Sequence, residues 1–182
     1  LSHVVLPEDS GERTATVVAL TMAQHALALA QADYLKAETF RATLVSIGGV
    51  DDALVLGLEA RSALSMAIQT GKNLSEAVKI TRKAIEQQTS TTHSDSIRLA
   101  LVEALLGHDN VQAKAEFHFV SRPDESVKSI LHHRLHARWW MCTSELEPKL
   151  RQIALKEAIT KYRAAGCPRT ANMLESRLHS IL

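Results

Sequence analysis

Aromatic residues are scarce in this 182-residue chain: three Phe, two Tyr and two Trp. Its core must therefore be built mainly from aliphatic side chains. Two cysteines, Cys142 and Cys167, stand without CxxC spacing. That excludes a disulfide framework and a cysteine zinc site, and reduced thiols are expected. Four Pro and seven Gly leave little material for long irregular segments. No run approaches the roughly 18 apolar residues of a membrane span. Alternating β-branched runs are absent too, so no sheet is expected. No GxxxxGK[ST] or HExxH occurs, no carboxylate pair suited to hydrolysis stands out, and no Ser-His-Asp set can be placed. Neither an enzyme nor a cofactor is expected. No basic-then-apolar leader opens the chain, and a cytoplasmic location is expected. The start on Leu1 rather than Met suggests a piece of a longer protein or a processed chain.

Ala and Leu dominate, and both enter helices at little cost. With 46% hydrophobic and 23% charged residues, the composition suits a globular domain with a sizeable core. Charge is unevenly spread. Residues 128–182 carry ten Lys/Arg against four Asp/Glu, whereas residues 1–127 balance at −5. A basic C-terminal third can face an anionic partner, or it is simply a solvated face.

Residues 1–9 read as a lead-in. Ser10 can cap a first helix whose inner face runs Val17, Leu20, Gln24, Leu27 and Gln31, beside Ala23 and Ala30. After a break at Ala32-Asp33, a second helix faces inward through Tyr34, Ala37, Phe40, Leu44 and Ile47, and Gly48-Gly49 ends it. Asp51 and Asp52 start a third helix, nearly free of charge, that Gly71 stops. Asn73 caps a helix over 74–88, with Ala77, Ile80, Ala84 and Ile85 inside. Gln87 to Ser94 is the clearest loop, and Ser94 caps a helix over 95–106 that Gly107 ends. Residues 109–120 read as helix, although Phe117, Phe119 and Val120 also permit an extended piece. Ser121-Arg122-Pro123-Asp124 then opens a long helix to about Cys142. Ser144-Glu145-Leu146-Glu147 is a capping box that starts the next helix, which runs to Ala165. Gly166 breaks it, and Pro168 begins the last helix, over 168–181. The expected fold is all-α, about nine helices in antiparallel hairpins. It is read as one helical-repeat domain, with clearer pairs in 10–90 and degenerate ones in 91–182.

A self-echo supports repetition. Asp33-Tyr34-Leu35-Lys36-Ala37-Glu38 recurs in pattern forty residues later as Asn73-Leu74-Ser75-Glu76-Ala77-Val78. Arg41 then aligns with Thr81, and Leu44 with Ala84. Fixed-period similarity marks stacked helix hairpins, which commonly bind partners. Tyr34 with Ala37, and Leu74 with Ala77, Ala84 and Ile85, resemble the second helix of tetratricopeptide repeats. The resemblance implies a right-handed superhelix. The Trp and Leu-Gly usual in that family's first helix are missing; Arg61-Ser62-Ala63-Leu64-Ser65 stands there. The spacing also exceeds the roughly 34 residues usual for that repeat and nears HEAT or armadillo lengths. Residues 159–182 carry Ala164-Ala165-Gly166, Ala171, Leu174 and Leu178. They resemble the closing unit of the sensor array in large LuxR-type bacterial regulators of the MalT-like group. That resemblance implies a sensing or relaying piece of a transcriptional regulator. That group's DNA-binding helix-turn-helix and nucleotide-binding domain are both missing from the sequence.

The densest set of chemically able side chains is His132-His133-Arg134-Leu135-His136-Ala137-Arg138-Trp139-Trp140. His132 and His136 share a helix face and are spaced to bind zinc or copper, but no third ligand is legible. No metal site is assigned. Arg134 and Arg138 suit anions, and Trp139 or Trp140 suits stacking. The plainer explanation is one Trp in the core, one over a gap between helices, and exposed histidines. His is also a candidate pH sensor. His118, between Phe117 and Phe119, reads as a hydrogen-bonded, semi-buried residue rather than a catalyst, and His25 sits in an Ala/Leu helix where it can face the inside of the array. Arg61 is a charge in an apolar helix and needs a partner or an opening to solvent. It is a candidate groove residue, or else an ion-pair partner of Glu59 or a neighbour.

These readings converge on a binding or sensor module. Its inner face, formed by the first helix of each pair, would accept a peptide, protein or small effector, and binding would alter how the units stack. The rest of a longer regulator would read that change, and self-association into a homo-oligomer is one arrangement open to such a module. Direct nucleic-acid contact and membrane contact are not expected. The alternatives are a general protein–protein scaffold and a metalloprotein centred on His132 and His136.

Overall fold

The computed structural model describes residues 10–47 and 50–181. Among them are nine α-helices and no strand. The chain divides into two compact units, Leu1–Ile97 and Arg98–Leu182.

The first unit holds α1 (Ser10–Ala30), α2 (Tyr34–Ser46), α3 (Asp52–Thr70), α4 (Leu74–Glu86) and the start of α5 (Thr91–Leu105). Helix α1 packs on α2, α2 on α3, and α3 on α4. Asp33 caps α2 by accepting from the Lys36 amide at 3.1 Å. Asp51 caps α3 by accepting from the Ala53 amide at 2.9 Å. Gly71 ends α3 at φ +66, a left-handed conformation open to glycine without a Cβ clash. The forty-residue echo falls on α2 and α4, the second helices of two consecutive hairpins. Ala37, Ala77, Leu44 and Ala84 are all buried in matching places. The three alanines among them let the helices pack closely. Helix α3 lies among the others. Its Tyr34 contact comes from α2, whose hydroxyl donates to the Ser65 carbonyl at 3.3 Å.

Four expectations change in this unit. The packed face of α1 is Thr21, His25 and Ala28, not Leu20, Gln24 and Leu27; Leu27 is 58% exposed. Alanine lies on every side of this helix, so its own pattern sets the buried face weakly. The His25 ring decides it, with Nε2 3.0 Å from Ser62 Oγ of α3. Asn73 sits at the start of α4 with φ +61 and makes no side-chain cap. Ile80 is only half-buried, while Val78 and Thr81 go inside. The polar loop is shorter than expected, because α5 already starts at Thr91. Ser90 serves as its cap: the carbonyl accepts from the Ser94 amide at 2.9 Å, and the hydroxyl faces the His93 amide. Gln88 is held by donating to the Ala53 carbonyl at 2.6 Å. The lead-in and the Gly48-Gly49 stop lie outside the described residues, and Ser10 is itself the first residue of α1 rather than a cap before it.

The second unit holds the rest of α5, then α6 (Asn110–Phe117), α7 (Ile130–Leu146), α8 (Arg151–Ala164) and α9 (Pro168–His179). Helix α7 packs on α8, and α8 on α9. Leu155, Ala158, Ile159, Ala171, Leu174 and Leu178 form their apolar core, with Trp140, Met141 and Tyr162 against it. Gly107 (φ +83) and Gly166 (φ +68) end α5 and α8. Cys142 and Cys167 are both free thiols.

Three expectations change here. No helix opens at Ser121-Arg122-Pro123-Asp124; residues 118–129 are irregular and α7 begins at Ile130. Local hydrogen bonds hold the segment out of helix. Asp124 Oδ1 accepts from the Ser126 amide at 2.8 Å, and Ser129 Oγ accepts from the His132 amide at 3.1 Å. The capping box is also unused. Ser144 lies inside α7 and donates to the Met141 carbonyl at 2.7 Å. The helix stops at Leu146 because Pro148 follows. Pro disfavours helical geometry in the residue before it, and Glu147 takes φ −124, ψ 83. A single 3-10 turn at Pro148–Leu150 leads into α8. Helix α6 is also shorter than 109–120, running from Asn110 to Phe117, and Asp109 caps it by accepting from the Gln112 amide at 2.9 Å.

Candidate functional site

Helix α7 places His132, His136, Trp139 and Trp140 at spacings of one turn, so they share a face. The His136 ring stacks on Trp140 at 6.3 Å between centroids and 16° between planes. Trp139 meets Trp140 edge-on, 5.0 Å apart at 83°. Phe117, the last residue of α6, lies 5.5 Å from Trp139. The scarce aromatics of this chain are thus concentrated: both tryptophans and one of three phenylalanines meet here.

The irregular strap 118–129 lies against this face. Val120 and Pro123 are buried and anchor it. Between and beside them, Arg122 reaches back over both indoles, its guanidinium carbon 5.8 Å from the Trp139 centroid and 5.3 Å from that of Trp140. Arg122 Nη2 also pairs with Glu125 Oε1 at 2.6 Å. This bond holds the Glu125 carboxyl below its usual range. His132 Nε2 donates to the Asp124 carbonyl at 2.5 Å, which fixes its tautomer. Arg122 stays more than half exposed. Exposed cation–π contacts contribute only about 0.5–1 kcal/mol each, so the strap is latched weakly at this point.

Three buried nitrogens on the face have no hydrogen-bond partner: His136 Nε2, Trp139 Nε1 and Trp140 Nε1. An unsatisfied buried polar group costs roughly 1–3 kcal/mol. His136 is only 1% exposed. Burial, with the positive charge of Lys161 adding to it, pushes its pKa down to about 4, against the opposing pull of Glu125. The ring is therefore neutral near pH 7.

The other sequence candidates have different settings. Arg138 is a tie between helices: its Nε and Nη2 reach Glu103 Oε1 and Oε2 of α5, both at 2.8 Å. Its guanidinium fork is occupied by that carboxylate. Arg138→Ala leaves Glu103 half-buried beside no guanidinium. With geometry between a surface and a buried pair, the expected loss is about 2 kcal/mol in urea unfolding. A loss under about 0.5 kcal/mol would class the pair with surface ion pairs. Arg134 is exposed on α7. Arg61 belongs to the first unit and donates to Ser96 Oγ of α5 at 2.8 Å. His118 is exposed beside Phe119. Over Phe119 lies the Arg98 guanidinium, itself paired with Glu116 at 2.6 Å.

Among the described residues, no group of three or more His, Cys, Asp or Glu is placed to hold a metal ion. His132 and His136 do lie 6.3 Å apart, but the His132 ring is engaged by the strap. An open groove of about 620 Å3 lies elsewhere in this unit, between α6 and the end of α7, lined by Val111, Lys114, His118, Glu145 and Leu146. It is shallow and mostly solvent-facing, whereas the tryptophan face is covered. No helix among the described residues is long and apolar enough to cross a membrane.

Arg122, Glu125 and Asp124 were not legible as site residues while the segment read as helix. Two signals pointed to the strap: the turn-forming cluster Asp124-Glu125-Ser126, and Ser129 three residues before His132 in cap position. Compared with known proteins, the chain matches no family model, no curated protein and no solved structure.

Proposed function

We propose that this chain is a binding module whose ligand site is the His136–Trp139–Trp140 face of α7, closed by the strap 118–129. One observation carries this reading. Three buried nitrogens with no partner lie on one helix face, and an irregular segment is latched onto the same face by an arginine more than half exposed. Buried polar groups ordinarily find partners, and a cluster of exceptions calls for a cause. A connection of about a dozen irregular residues within a helical unit is also more often functional than structural. The setting we propose is signal sensing within a bacterial transcriptional regulator of the LuxR type, after the resemblance of residues 159–182. Release of Arg122 from the two indoles would then be the event that the rest of the regulator reads.

The test is a thermal-shift and tryptophan-fluorescence screen with small metabolites and short peptides. A ligand that binds only the folded state raises stability in proportion to its occupancy. At least one class should raise the melting temperature and change tryptophan emission together. Melting shifts without any emission change would place binding elsewhere. The groove beside α6, with its exposed Val111, favours a second reading in that case, a scaffold for protein partners.

A further inference from the structure

We propose that the two-tryptophan corner is a seat for the guanidinium of an arginine-bearing peptide, and that Arg122 occupies it as an internal stand-in. This assignment rests on the binding reading above and names its ligand.

The corner has the shape and chemistry for such a group. Guanidinium is planar, weakly hydrated and stacks on aromatic faces. Trp139 and Trp140 stand nearly perpendicular, and the Arg122 guanidinium faces both rings. Glu125 supplies the counter-charge at 2.6 Å. His136 extends the aromatic wall behind Trp140, and its burial keeps it neutral, so it adds surface without repelling a cation. Lys161 of α8, with His132 and Arg122, disfavours a charge on His136, and Glu125 opposes them.

The stand-in is replaceable. Arg122 is more than half exposed, belongs to no helix, and touches the corner through its side chain. Val120 and Pro123 keep the strap anchored when that side chain swings out. Arg122 also leaves the corner incompletely satisfied. The indole N–H groups and His136 Nε2 still have no partner. An incoming arginine residue brings the same cation together with carbonyl acceptors from its own backbone. A lysine brings a compact, strongly hydrated charge and no plane to stack.

Both tryptophans of the chain lie at the seat, so intrinsic fluorescence reports it without a label. The probes are the N-acetyl amides of arginine, lysine and citrulline, an arginine-centred tripeptide, and benzoate and succinate as anionic comparisons. Citrulline keeps the planar shape and lacks the charge. In the unaltered protein, arginine amide should give a saturable change, with citrulline amide at least about tenfold weaker. Arg122→Ala removes the internal competitor and should tighten arginine amide binding about tenfold. Arg122→Gln keeps the stem and should behave alike; it carries the comparison if the alanine variant loses its helical circular dichroism. The tripeptide should bind more tightly than the amide; equal binding would overturn the peptide assignment. Equal responses to arginine and citrulline amides would overturn the guanidinium seat, and unchanged affinity in both folded variants would overturn the stand-in role. A response to benzoate or succinate with none to arginine would remove this inference while leaving a ligand site at the corner. Silence from every probe would remove both readings.

Discussion

Acidification from pH 6.5 toward pH 4 is expected to cost the second unit roughly 3 kcal/mol of stability, through His136 alone. In the unfolded chain this imidazole titrates at its ordinary 6.5; in the folded protein burial lowers that to about 4. Between those values the unfolded state binds a proton that the folded state refuses. The stability due to the neutral ring is fully present above pH 6.5. It falls as pH drops through that value and is lost below about 4. His25 acts in the same direction in the first unit, with burial again the main cause. The lowered carboxylates Glu38, Asp124 and Glu125 begin to lose their contribution only toward the acid end of this window, as pH falls through their ordinary values of 4.5, 3.8 and 4.5. Urea unfolding followed by tryptophan fluorescence isolates His136, since both tryptophans lie beside it. His136→Phe should flatten the profile between pH 6.5 and 4 while keeping the stack on Trp140. It should cost little at neutral pH, because replacing an unpartnered buried polar ring by an apolar one is often near neutral. A wild-type profile that is already flat in this window would refute the assignment.

Leu155→Ala should lower the stability of the second unit by about 2–5 kcal/mol. Leu155 is fully buried at the centre of the α8–α9 core, against which Trp140 packs. Its removal loses the transfer energy of the side chain and leaves a cavity that surrounding helices close only in part. With a urea slope of about 1–3 kcal/mol per molar, the midpoint should fall by about 1 M or more. Ile153→Ala is the matched control. It lies on the same helix but is 58% exposed, so its effect should stay under about 1 kcal/mol. Comparable losses in the two variants would mean that the α8–α9 core is not packed as described. Trp140 emission should shift in Leu155→Ala even before unfolding, because the indole rests on the same cluster.

Much of the helical skeleton was legible in the chain. Asp33, Asp51, Gly71, Gly107, Gly166 and Pro168 each mark a helix end by a local effect: a side-chain cap, a left-handed glycine, or a proline without an amide hydrogen. Local effects can be read locally. The start of α7 was misread because Pro123 suits a first helical turn as well as a strap, and only the hydrogen bonds of Asp124 and Ser129 separate the two. The capping box at Ser144 failed for a related reason. Its pattern was present, but Ser144 lay within a helix already packed on α8, and Pro148 set the stop instead.

The candidate site divides the same way. The spacing of His132, His136, Trp139 and Trp140 already put them on one helix face, because that follows from the helical repeat. Arg138 and Arg61 looked equally available for a ligand. The partners that engage them, Glu103 and Ser96, are 35 residues distant in each case.

By itself, the sequence determined the all-α class, most helix ends and the grouping of the tryptophans with His136, since each follows from interactions within a few residues. Tertiary structure alone decided which face of α1 is buried, that α7 begins only at Ile130, and that Arg122 covers the indoles. In each of these, several local conformations lie within a kcal/mol or so of one another, and contacts between distant segments choose among them.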